Sequence, residues 1–189
     1  MSNDIQAIQD KLLESIGRSR YEHSIGVMHT AACLAMRYAY PLEKALYAGL
    51  LHDCAKYVPN DKMVQMCQMH NIPISDAELA ENSLLHAKAG AILAFEEYGI
   101  VDEEILHAIQ IHTTGVPDMG MLDKIIFVAD YIEPSRDKAP NLTAIRELAF
   151  KDIDKAIAQI AHDTLSYLRT RQCTCDPLTE DTYLFYKEK

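Results

Sequence analysis

Two metal-binding side chains, His52 and Asp53, interrupt Ala48-Gly49-Leu50-Leu51-His52-Asp53-Cys54-Ala55-Lys56, a run that otherwise has the composition of a buried helix face. A carboxylate in such a place is costly to desolvate unless a cation or a hydrogen-bond donor compensates it. His23, His86, His112 and Asp130 also fall in helix-like or helix-end segments. Imidazole plus carboxylate is the ligand set of a divalent transition metal, and the chemistry these residue types offer is metal-dependent hydrolysis. Asp130 adds weight, because it is embedded in the apolar run 125–132 with no Lys or Arg four residues to either side. The other histidines read differently. His29 lies six residues past His23 and faces elsewhere on a helix of about 3.6 residues per turn. His107 is rotated away from His112, and His70 and His162 have polar neighbours. These four read as solvated or satisfied side chains.

Such ligands are far apart in the chain, so several elements must bring them together. Ile5, Ile8, Leu12, Leu13 and Ile16 recur at helical steps until Gly17 supplies a stop. A second helix follows over about 19–38, and Pro41 opens a third that carries Leu42, Ala45, Leu46, Gly49 and Leu50 until Pro59 closes it. Residues 61–70 read as a short helix and Asn71-Ile72-Pro73 as a turn. Ser83 has the chemistry of an N-cap for a helix over 84–98 that ends at Gly99, and Asp102 opens the next one. The segment 125–129 would also suit a buried strand, but the chain offers no partner strand, so it is taken as helix. Apolar residues from Ile153 to Leu168 mark a long amphipathic helix over 152–171. The expected fold is all-α, a single helical bundle with its core over about 19–172 and a C-terminal tail over 173–189. Inward-facing positions on successive helices of a bundle can meet at one level, and ligands near helix ends place the site at the bundle's mouth.

Composition narrows the function further. The 189 residues suit one domain, and a formal charge of −10 argues against general nucleic-acid binding or attraction to an anionic membrane. Five cysteines are an odd number without framework spacing, so reduced thiols and a cytoplasmic location are expected. Met1-Ser2-Asn3-Asp4-Ile5 lacks the basic and apolar regions of a signal peptide, and no uncharged apolar run is long enough for a membrane span. The oligomeric state is not written in the sequence, although the long amphipathic helix would serve as the interface of a homodimer.

The order His23, His52-Asp53, Asp130 resembles the H…HD…D pattern of HD-domain phosphohydrolases. The segments 48–56, 109–115 and 124–136, the last containing Ala129-Asp130-Tyr131-Ile132-Glu133-Pro134, are similar to one branch of them, the YqeK family of bacterial symmetrical bis(5′-nucleosyl)-tetraphosphatases. The resemblance covers about residues 19–168. It implies an iron site of His23, His52, Asp53 and Asp130, with His86 and His112 either contacting phosphate or completing a second metal beside a bridging Asp53. It also implies the activity: hydrolysis of diadenosine tetraphosphate to two ADP, by attack of metal-bound hydroxide on a β-phosphorus. On that mechanism Asp53, Lys56, His86 and His112 are the expected catalytic residues. Lys56, four residues after His52, would project from the same helical face and meet the transferred phosphoryl oxygens. Arg20 and Arg136 would hold the remaining phosphates, Thr113 and Tyr131 would add hydrogen bonds, and base contacts are expected from the loop 130–136 and the tail. Two other readings stay open at this point: a different HD-domain nucleotide phosphohydrolase or phosphodiesterase, and a non-catalytic nucleotide-binding module.

Overall fold

Polar caps and glycines set where this chain leaves its helices. The computed structural model describes residues 4–189; Met1-Ser2-Asn3, the start of the stretch expected to hold no signal peptide, lie outside them. Among the described residues the chain forms α1 (Ile5–Arg37), α2 (Leu42–Leu51), α3 (Asn60–Met69), α4 (Asp76–Ala80), α5 (His86–Glu96), α6 (Glu103–Ile111), α7 (Met121–Ile132), α8 (Leu142–Ala149), α9 (Ile153–Arg171) and α10 (Pro177–Tyr186). A 3₁₀ turn, Asn82–Leu85, joins α4 to α5, and the described residues contain no strand. The all-α expectation holds, and the β-branched segment 125–129 is helical.

Asp102 caps α6 by accepting from the Glu104 and Ile105 amides, and Asp152 caps α9 by accepting from Lys155. The two helices expected on either side of Gly17 are both present and meet across a kink there: Gly17 has φ 71° and ψ 163°, a region other residues rarely adopt. Ser83 is not a cap. It sits inside the 3₁₀ turn, and α5 begins later, at His86. The helix after Pro41 also stops early, at Leu51, and residues 52–57 continue as successive tight turns.

The core lies where α1, α2, α6 and α7 pack on one another. In α7, Ile125, Ile126, Val128 and Ala129 are fully buried, and each large aliphatic side chain so placed stabilises the fold by about 2 kcal/mol. Gly49 sets how closely α2 approaches α1: an added Cβ there would fall 2.9 Å from the Met28 Cα. A smaller cluster, including Ala55, Met63, Cys67 and Leu85, seats α3 against α5.

The stretch expected as a tail contains α10, which packs along α9. Tyr186 at its end is buried, and its hydroxyl accepts from the Met119 amide at 2.8 Å. The apolar stripe of α9 is covered within the chain by α7, α8 and α10. It is therefore not the free interface expected from sequence. No helix of the described residues is long and apolar enough to cross a membrane, and all five cysteines are free thiols.

Candidate metal centre

Three of the site histidines are held by the same local device. The Nδ1 of His52 donates to the Gly49 carbonyl at 2.8 Å, that of His86 to Ser83 at 2.5 Å, and that of His112 to Ile109 at 2.8 Å. His52 and His112 follow the last residues of α2 and α6, where helix carbonyls have lost their own amide partners and are free to accept. A carbonyl can only accept, so the proton sits on Nδ1 and the Nε2 lone pair is left bare. His23, in the middle of α1, has no such carbonyl. Its Nδ1 lies 3.0 Å from the Glu133 carboxylate instead, with the same result for its tautomer.

All four Nε2 atoms converge. The His23 and His52 rings stand 5.3 Å apart, those of His52 and His112 5.0 Å, and those of His86 and His112 5.1 Å. Asp130 brings an oxygen to 3.1 Å from His23 Nε2 and 3.7 Å from His52 Nε2. Asp53 stands between the two ends of the cluster. Its Oδ1 is 3.1 Å from His86 Nε2 and 3.6 Å from His112 Nε2, and its Oδ2 is 3.9 Å from His52 Nε2. Two ligand groups, His23 with His52 and Asp130 and His52 with Asp53 and His112, each have all their donor atoms within 4.8 Å of one another.

The residues fit a divalent cation on chemical grounds. Nε2 of His23 and of His52 is buried without a hydrogen-bond partner, a costly state that a cation would relieve. Nε2 of His86 and of His112 face each other at 3.3 Å with a lone pair on each. The described protein surroundings favour the neutral, ligating form of His52: burial pushes it down to about 4 against the pull of Asp53 and Asp130. Burial likewise lowers His86, opposed by Asp53. Burial works to raise Asp53, but His52, His112, His86 and Lys56 outweigh it and hold the carboxyl well below its ordinary range. Asp130 is depressed in the same way, by His23, His52 and Arg136 against burial.

The cations expected around the site are present, by routes the sequence did not foretell. Lys56 does not share a helical face with His52. It stands in the turn after α2, pinned by its amide to the Asp53 carbonyl, and its Nζ reaches His86 Nε2 at 3.0 Å and Asp53 Oδ1 at 3.7 Å. Arg20 lies 3.4 Å from Asp53 Oδ2. Asp130 does have a cationic partner, six residues on: Arg136 Nη2 donates to its Oδ1 at 2.6 Å. Thr113, expected to add a hydrogen bond, lines a separate cavity with Lys88 and His107. The Tyr131 phenol is pushed up to about 12 by burial and by Asp163, against Arg136. The four histidines set aside behave as read: His70, His107 and His162 pair with Glu96, Asp123 and Asp163, and His29 is exposed.

Sequence reading missed the supports. Glu133, buried at 1% exposure, accepts from His23 and from the amide and hydroxyl of Ser135. Arg146 of α8 ties down the same loop through the carbonyls of Ile132, Glu133 and Arg136. Glu133 had one visible sign, a carboxylate placed directly before Pro134 at the end of an apolar helix. Arg146 had none.

An all-α bundle with paired His and Asp donors at its mouth defines a class, and the chain belongs to it: the HD domain family, whose profile matches residues 20–135. Within the family it is similar to proteins named symmetrical bis(5′-nucleosyl)-tetraphosphatase. It is 39% identical to that of Bacillus subtilis (strain 168), covering 92% of this chain and 90% of the relative, and 37% identical to that of Staphylococcus aureus (strain NCTC 8325 / PS 47), covering 92% and 89%. A crystal structure from Clostridium acetobutylicum, described as an HD superfamily hydrolase involved in NAD metabolism, superposes with a TM-score of 0.94 at 38% identity, covering 98% of this chain and 97% of that one.

Proposed function

We propose that this protein is a metal-dependent hydrolase that splits diadenosine tetraphosphate and related dinucleoside tetraphosphates symmetrically into two ADP. The observation that carries this reading is the convergence of four imidazole Nε2 atoms, those of His52, His86 and His112 on a shared Asp53 and that of His23 on Asp130, with every Nδ1 already committed to an oxygen acceptor. The relatives' names supply the substrate class. His23, His52, Asp53 and Asp130 would hold one ion, for which iron is our assignment, and Asp53, His86 and His112 a second. A divalent cation in such a ligand set polarises a phosphoryl oxygen and lowers the pKa of water toward about 7.

The remaining work falls to the protein. Lys56, Arg20 and Arg136 neutralise the charge that develops on the phosphoryl oxygens, and such preorganised charge is the largest catalytic effect available in a site of this kind. Arg136 suits the task because its planar fork can engage two oxygens at once. Removing it from Asp130 requires a competing anion, which the tetraphosphate provides. A departing ADP has a terminal phosphate pKa of about 6, so no strong general acid is needed. Lys56 is held below its ordinary range by burial, against the pull of Asp53 and Asp130.

The deciding experiment is to incubate the metal-loaded protein with diadenosine tetraphosphate and separate the products. ADP as sole product is expected. AMP with ATP would overturn the symmetric cut, and phosphate released from a mononucleotide without cleavage of the dinucleotide would favour a different phosphohydrolase.

A further inference from the structure

Beside the ligand cluster opens a cavity of about 530 Å³ whose lining brings three cations, Arg20, Arg136 and Lys138, against the carboxylates Glu133 and Asp137, with His23 at its wall. Tyr57 is the one phenol ring among its lining residues, and it is 63% exposed. The same ring also lines an adjoining cavity of about 330 Å³ whose wall includes Cys54, Val58, Pro59 and Leu93. A single exposed tyrosine on a helix would need no explanation. This one sits between a cationic cavity and a more apolar one.

Its backbone is fixed by the metal site itself. The Lys56 amide donates to the Asp53 carbonyl at 3.0 Å and the Val58 amide to Ala55 at 2.9 Å, so Tyr57 rides on the turn that presents Asp53 and Lys56. Ala55, two residues before it, is fully buried. The ring is therefore an anchored surface at the mouth. Of the other places expected to meet a base, the loop 130–136 lines the mouth cavity through Glu133, Ser135 and Arg136 but brings no aromatic ring to it, and α10 contributes no lining residue.

We propose that Tyr57 is the platform on which a nucleoside base of the substrate stacks while Arg20, Arg136 and Lys138 hold its phosphates. This rests on the dinucleotide reading above and adds the position of the nucleoside. Every base has a π-face, so a stacking platform is tolerant of base identity, and adenine and guanine nucleotides are both accommodated.

Calorimetric titration of the metal-loaded protein with ADP, GDP and inorganic pyrophosphate tests it. Tyr57→Ala is expected to weaken ADP and GDP about tenfold or more while leaving pyrophosphate within about twofold, the loss of one base stack. Tyr57→Phe and Tyr57→Trp are expected to keep nucleotide affinity and to show that the fold survives change at this position. Unchanged ADP affinity in Tyr57→Ala would overturn the platform, as would an equal loss of pyrophosphate or a wild-type protein that does not bind ADP. A wild-type protein that binds ADP but does not cut the dinucleotide defeats the proposed activity alone.

Discussion

The two ends of the ligand cluster are braced by different means. Around His23, His52 and Asp130 the supports are largely charged side chains: Glu133 behind His23 and Arg136 on Asp130, with only His52 tied to a carbonyl. Around His86 and His112 both rings lean on main-chain carbonyls, and the nearby charge is the cation Lys56. The first end has two anionic groups beyond the shared Asp53, one of them paired with Arg136, whereas the second has none and lies beside the cation Lys56. On the two-ion reading proposed above, we expect an ion to be held more tightly at the first end, with the second the more exchangeable and the more responsive to an incoming phosphate.

Asp53 is the joint between the ends, so the largest effect is expected from Asp53→Asn. It should lower bound metal at both ends and cut turnover by about 10³-fold, the scale of losing a preorganised charge at the reacting centre. Metal analysis of the purified protein checks this, and full metal content with full turnover would remove Asp53 from the ligand set. Lys56→Met separates binding from catalysis. Turnover should fall about a hundredfold, while metal affinity at the His86/His112 end holds or rises because a neighbouring cation has gone. A drop in that affinity would mean Lys56 supports the ligands rather than the phosphate. Glu133→Gln keeps an acceptor for His23 but removes its charge, so the first end alone should lose about tenfold in metal affinity. An equal loss at both ends would erase the contrast.

The smallest effect is in metal-free protein. His52 has a folded value lowered to about 4, so its contribution to stability is present above pH 6.5 and is lost as pH falls from 6.5 toward 4. This amounts to about 3 kcal/mol at most. His23 has the opposite sign: burial would lower it, but Asp130 and Glu133 raise it, so its contribution is present below 6.5 and is lost as pH rises through the folded value. The net expectation is a fall in melting temperature on acidification across this window. A flat or rising profile would show that the His23 end dominates.

Much of this was readable before any coordinates. Asp102 and Asp152 announced their helices because an N-cap is a local device. Ser83 announced one that starts elsewhere, because the turn after α4 uses 3₁₀ bonds and moves the helix start to His86. α10 went unread although Asp176 caps it and Pro177 opens it, signals of the same local kind; only its docking, through Tyr186 to Met119, depends on the fold. Arg146 was unread because its partners are carbonyls that carry no sequence signature.

From the order of residues alone came the donor types, the helices that carry them and the improbability of leaving Asp53 and Asp130 buried without cations. Only the packed chain decided which oxygen of Asp53 faces which histidine, that Arg136 covers Asp130, and that Lys56 arrives from a turn. Helix periodicity and capping act over a few residues. Convergence of His23 with Asp130 depends instead on how closely helices approach, as where Gly49 lets α2 touch α1, and that is a property of the whole core.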